Sequence, residues 1–125
     1  MVAQTQNGGL ARVTAALAAL SWWFQWGTGS AAAKTANAVT TTSTTEARVA
    51  CTAAQATVSV TSDTLQLTGT VTAAGARTIT EVGAFDAVGS GSPPTGGNMD
   101  YYCDFSSVSL ASGDSIAFTL KVQYT

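Results

Sequence analysis

A chain of 125 residues is the size of one domain, and it can bury a sizeable core without metal or disulfide. Only 10% of its residues are charged, and its 5 basic residues (Arg12, Lys34, Arg48, Arg77, Lys121) are scattered; with a net charge of −2, this argues against a phosphate-binding surface and a nucleic-acid partner. It has no histidine, which excludes a Ser-His-Asp or Cys-His catalytic arrangement and a His-ligated metal.

Thr, Ser, Ala and Gly take the place of charge. A polar but uncharged surface suits a protein that packs against neighbours, because burying a hydroxyl costs far less than burying an ion. The composition therefore points to a structural, self-associating domain without enzymatic activity or cofactor.

In chain order, Leu10, Val13, Leu17 and Leu20 step by three, four and three residues, with Ala at many positions between them. This predicts a short amphipathic helix with Asn7-Gly8-Gly9 as its N-terminal cap. Residues 1–21 form an arm carrying this helix, and the four apolar residues are its candidate interface. Arg12 within the run and the tryptophans after it argue against a signal peptide, and the run is too short and too charged for a membrane span.

Trp22 to Trp26 switches to strand period, with Trp22, Phe24 and Trp26 on one face. These rings are expected in the core; a stacking platform for sugars is the alternative, with no polar ring around it in sequence. Gly27 to Thr35 superficially resembles a phosphate-binding loop. Ala33 and Thr28 stand where that loop needs glycine, so it is read as a turn. Residues 30–45 are rich in Thr, Ala and Ser and are expected to form an extended loop, either flexible or, the favoured reading, running along a neighbouring subunit.

The remainder, 46–125, reads as β. Strands are predicted over Glu46–Val60, Thr64–Ala73, Arg77–Asp86, Met99–Ser107 and Ser115–Tyr124. Turns fall at Ser62-Asp63, Ala74-Gly75 and Ser112-Gly113-Asp114, with a longer loop from Gly89 to Asn98. Leu65, Leu67 and Val71 share one face of their strand, and Ile116, Phe118, Leu120, Val122 and Tyr124 share one face of the last. The fold class is mainly β: an antiparallel sandwich or jelly-roll-like domain over 22–125, with one short N-terminal helix.

Two cysteines cannot make a structural zinc site. Cys51 and Cys103 lie on two predicted strands, where a disulfide forms only if the strands face one another; free thiols are the default. Asp100, Asp104 and Asp114 are read as solvated loop acids rather than a calcium site. Glu81 is the unusual residue. Strict alternation puts Ile79, Glu81, Gly83 and Phe85 on one face, burying a carboxylate among apolar side chains, which costs several kcal/mol unless it is paired. Arg48 and Arg77 are its candidate partners, and a bulge at Gly83 turning Glu81 outward is the other relief.

The segments Phe24–Gly29, Thr45–Arg48, Ile79–Asp86 and Ser112–Thr119, in that order, resemble small virion structural proteins of tailed bacteriophages. Similar Glu-x-Gly-x-Phe-Asp β-domains occur in capsid decoration (cement) proteins and in tail-fibre or collar proteins. The chain departs from that pattern at Ala84, in the length of the 89–98 loop and at Cys103. The resemblance implies a virion component, with the cement reading placed first: a homotrimer on the capsid exterior bound to the major capsid protein, with no membrane partner. A tail-fibre or collar component is the alternative, and a glycan-binding module the third reading.

Overall fold

The computed structural model of the protein describes residues 1–39 and 44–125. Helix α1 runs from Asn7 to Ala18, and seven strands follow among the described residues: β1 Trp23–Gly27, β2 Val49–Ala50, β3 Thr52–Ala56, β4 Thr64–Thr72, β5 Arg77–Phe85, β6 Met99–Leu110 and β7 Ser115–Gln123. They form a four-stranded sheet in the order β2-β1-β5-β6 and a three-stranded sheet in the order β3-β4-β7, with every pairing antiparallel. The expected sandwich is present. Four strands against three is one short of the eight a jelly roll uses.

The alternation read from the sequence fixes which side chains face inward. Phe24 and Trp26 of β1, together with Trp22 just before it, meet Leu65, Leu67 and Val71 of β4 and Ile79, Val82 and Ala84 of β5. Each buried indole removes about 200 Å² from water, worth on the order of 5 kcal/mol by area. Phe24 packs edge-on against Phe118 of β7 at 5.8 Å, carrying the core across to the second sheet.

One side of the sandwich is closed by the backbone itself. The run 49–56 pairs first with β1 and then, past Cys51, with β4, so a single segment passes from one sheet to the other. Cys51 N–H donates to Trp22 O (2.8 Å) at the crossing point. Glu46–Val60, predicted as one strand, is therefore two short ones with a sheet switch between them.

Helix α1 packs on β3 and β4 of its own chain. Its inward row is Leu10, Thr14 and Leu17, whereas Val13 is 40% exposed and Leu20 56% exposed. The predicted stripe is thus split. Leu10 and Leu17 face their own domain, and Val13 and Leu20 face away. Thr14 displaces Val13 because its hydroxyl donates to Ser62 O (2.6 Å) and accepts from the Gln55 amide (2.9 Å). Two hydrogen bonds make burial of a hydroxyl affordable where a methyl would leave Ser62 O and Gln55 unmatched. The helix start also differs from the expectation: Gln6 is the capping position, without a side-chain bond, and Asn7 and Gly8 are already helical.

The 30–45 segment falls partly on residues 40–43, which lie outside the described residues. On either side of them Val39 and Thr44 are buried in their own chain, and the Thr44 hydroxyl donates to Trp26 O (3.4 Å).

Candidate functional site

The outer face of the four-stranded sheet is where this fold departs from a simple sandwich. Strand β5 is buried continuously from Glu81 to Phe85, on both faces. Its pairing with β6 shows why. Ile79 opposes Val108 while Glu81 opposes Asp104, so β6 carries two extra residues at that point. Across this irregularity the core-facing positions change from Ile79 to Val82 and Ala84. Glu81, Gly83 and Phe85 then point to the opposite face, paired with Gly27, Gln25 and Trp23 of β1. The expected bulge exists and does turn Glu81 out of the core, but it lies between Ile79 and Glu81 rather than at Gly83.

Glu81 nevertheless remains 0% exposed, because a second layer covers it. Gly29 N–H donates to its Oε1 (3.2 Å), and the Tyr102 hydroxyl donates to its Oε2 (2.7 Å). Next to it the Thr80 hydroxyl donates to Gly29 O, and Ala31 N–H donates to Asp104 (2.9 Å). Glu81 thus fastens the segment after β1 across β5 and β6.

The two arginines expected beside Glu81 are placed elsewhere. Arg48 is buried over the other half of the same face. Its Nε donates to Gln25 Oε1 (2.8 Å), its Nη1 donates to Ala87 O and Gly96 O (both 2.8 Å), and its guanidinium lies 3.7 Å from the Phe85 ring centroid. Gln25 in turn donates to Pro94 O (3.2 Å). The loop after β5, residues 86–98, is therefore held down by one arginine and one glutamine. Burial pulls the Arg48 pKa down, and Asp86 nearby partly restores it. Gly83 allows this close cover: a Cβ there would meet Met99 Sδ at 2.6 Å and the Phe85 ring at 2.9 Å.

Arg77 pairs with Glu46 (3.1 Å), whose carboxylate also receives Ala74 N–H (2.9 Å) and Trp26 Nε1–H (3.3 Å). Burial would raise the Glu46 carboxyl, but these donors and Arg77 bring it below the usual value. A fourth pin is Asp63, which accepts from the N–H groups of Val58, Ser59 and Val60, from the Thr64 hydroxyl and from Gln123. Burial alone would raise its pKa; the donors outweigh that and hold it far below the usual carboxylate range. The expected Ser62-Asp63 hairpin turn is thus a wider loop, with Ser62 in the left-handed region at φ 58° and Asp63 tying it together.

Glu46, Gln25 and Tyr102 gave no pairing signal in sequence, because the groups they bind lie on segments distant along the chain. Only Asp63, just after Ser62, carries a local signal, since Asp readily organises turns through backbone N–H groups.

The cysteines are free, Cys51 half-buried and Cys103 exposed. They sit at opposite edges of the four-stranded sheet, three strand spacings or roughly 14 Å apart, well beyond the ~7 Å limit for a bridge. Burial pushes the Cys51 thiol up to about 12, leaving it inert. Asp100, Asp104 and Asp114 are spread from the start of β6 to the turn before β7, and no group of acids or thiols that would hold a metal is found among the described residues. Trp22 and Trp26 are in the core, with Trp22 Nε1–H donating to Leu17 O (3.0 Å), so neither offers a face to a sugar. No helix among the described residues is long and apolar enough to cross a membrane.

Glu81, Arg48, Glu46 and Asp63 each fasten a loop, and no buried polar side-chain atom among the described residues lacks a partner. The family model described as "Podophage GP4 fiber I protein gp80" matches residues 5–122. The chain belongs to that family. As a member of the fiber I family it is a phage virion structural protein, in line with the resemblance read from its segments. The match spans α1, β1 to β6 and β7 as far as Val122, so the covered face around Glu81 and Arg48 lies within the family domain. Comparisons with curated proteins and with solved structures returned no match.

Proposed function

We infer that the protein is a non-enzymatic component of the phage tail-fibre apparatus, and that its work is to bear load as a rigid module. The family match over 118 of its residues, 5–122, carries this reading. The use of its buried carboxylates and arginine as loop fasteners supports it, because such groups rigidify a fold when fully satisfied.

The capsid-cement reading drew on low charge paired with an apolar helix that a single sandwich does not obviously need. That helix now has a use inside its own domain, through Leu10, Thr14 and Leu17. The capsid position and the major capsid protein lose the helix as support, and the family match makes the tail the better-supported location. Immunogold labelling of intact virions with antibody to the full chain tests this. Label confined to the tail, with about a dozen copies or fewer per particle by quantitative mass spectrometry, is the expected result. Label over the head, with hundreds of copies, would overturn it in favour of a cement role.

A further inference from the structure

Helix α1 starts weakly. Its capping position, Gln6, makes no side-chain bond, its first turn carries no acidic residue, and Asn7 is followed by two glycines, each a poor helix former. Residues 1–8 are exposed, and Leu10 is the first buried side chain. The turn 7–9 can therefore unwind without uncovering any of the core. Gln6 O accepts from Gly9 N–H (2.8 Å) and Leu10 N–H (3.0 Å), whereas Gly8 N–H is one of the first donors of the helix and has no partner among the described residues. The Asn7 side chain is exposed and equally without a hydrogen bond there, and nothing lies within 4 Å of where a Cβ on Gly8 would stand.

The other two asparagines are placed differently. Asn98 is gripped by Asp86, which accepts from its N–H (2.7 Å) and from its Nδ2 (3.0 Å), and Met99 follows it. Asn37 is followed by Ala38. A side chain on the following residue crowds the approach of that residue's nitrogen to the asparagine Cγ. Glycine has none, and its backbone reaches the conformation needed most easily.

We propose that Asn7-Gly8 is a site of spontaneous modification, where the chain converts its own asparagine to aspartate and isoaspartate through a cyclic imide. The Gly8 nitrogen, deprotonated by hydroxide, attacks Asn7 Cγ. The N–Cγ bond forms, the Cγ–Nδ2 bond breaks, and Nδ2 leaves as ammonia with a proton from water. Water then opens the imide. Opening at Cγ gives aspartate; opening at the main-chain carbonyl carbon gives isoaspartate, whose backbone runs through Cβ. The net change is amide plus water to carboxylate plus ammonium, with no oxidant or cofactor.

Both products act on α1. Each places a negative charge at a helix N-terminus that has no acid of its own, which favours the helix when residue 7 is a normal aspartate. Isoaspartate instead adds a backbone carbon, takes residue 7 out of the helix and re-aims the exposed arm 1–6. The junction of arm and helix thus changes with the age of the protein, whichever part of the virion it occupies.

Trypsin separates the three asparagines, because cleavage after Arg12, Lys34, Arg48, Arg77 and Lys121 leaves them on peptides 1–12, 35–48 and 78–121. The folded full chain is aged at neutral and at mildly alkaline pH, and the deamidated fraction of each peptide is read by mass spectrometry, with isoaspartate counted by isoaspartyl methyltransferase labelling. Peptide 1–12 is expected to deamidate many times faster than the other two, faster still at the alkaline pH, and mostly to isoaspartate. Gly8→Ala should slow it several-fold in a chain that melts no lower than wild type. Gln6→Ser, which supplies the missing cap, should slow it as well. Asn7 reacting no faster than Asn37 or Asn98, or a Gly8→Ala chain ageing at the wild-type rate, would overturn the proposal; a Gln6→Ser chain ageing at the wild-type rate would overturn the part given to the weak first turn.

Discussion

Strands β5 and β7 are both nine residues long and both read as alternating strands, yet they end in opposite situations. From Glu81 onward β5 is buried on its two faces, whereas β7 alternates half-buried with exposed along its whole length. The difference does not come from hydrophobicity, since β7 is the more apolar strand. It comes from a second layer that polar residues hold over β5: Glu81 and Tyr102 fasten the segment after β1, and Arg48 and Gln25 fasten the loop after β5. Among the described residues, no such layer covers β7. Burial in this protein is decided by where loops are tied down as much as by where apolar side chains stand.

Several substitutions sharpen this contrast. Arg48→Ala should have the largest effect, because it strips a donor from Ala87 O, Gly96 O and Gln25 at once. A loss of about 4 kcal/mol is expected in urea unfolding, with faster amide exchange in 86–98. Glu81→Leu leaves Gly29 N–H and the Tyr102 hydroxyl to find other acceptors and should cost about 2 kcal/mol, with exchange rising in 28–31; Tyr102→Phe should cost about half as much.

Acid should act on the connection between β3 and β4. The Asp63 carboxyl is held below its ordinary value of 3.8, so its contribution is complete above that pH and is lost as pH falls below it. The melting temperature should therefore drop from pH 4 downward, and the gap between wild type and Asp63→Asn should narrow over the same range; a constant gap would mean that the carboxylate is not what matters. Thr119→Ala on the outward row of β7 should change monomer stability by less than about 0.5 kcal/mol, the smallest effect of the set. If Thr119→Ala proved as costly as Glu81→Leu, the contrast between the two strands would fail.

Much of the fold was legible because it rests on period. The strands over 64–73, 77–86 and 115–124, the inward rows of β4 and β7, and the burial of Trp22, Phe24 and Trp26 follow from alternation alone, since side chains on a strand must face opposite ways. The helix was legible as a helix but not in its facing. Apolar spacing chose Val13, whereas hydrogen bonds to Ser62 and Gln55, 48 and 41 residues away in sequence, chose Thr14.

The candidate site was legible only as an anomaly. Sequence placed Glu81 in a strand where a carboxylate costs energy, and physical chemistry required it either to be paired or to be turned away from the core. The tertiary structure does both. Two extra residues in β6 shift the facing of β5 at Glu81, and a backbone amide and a phenol serve it there while the arginines are used elsewhere. Local sequence determines period, turn and core because those depend on neighbours within a few residues. Register shifts and hydrogen-bond partners depend on which distant segments arrive alongside, and only the assembled sheets decide that.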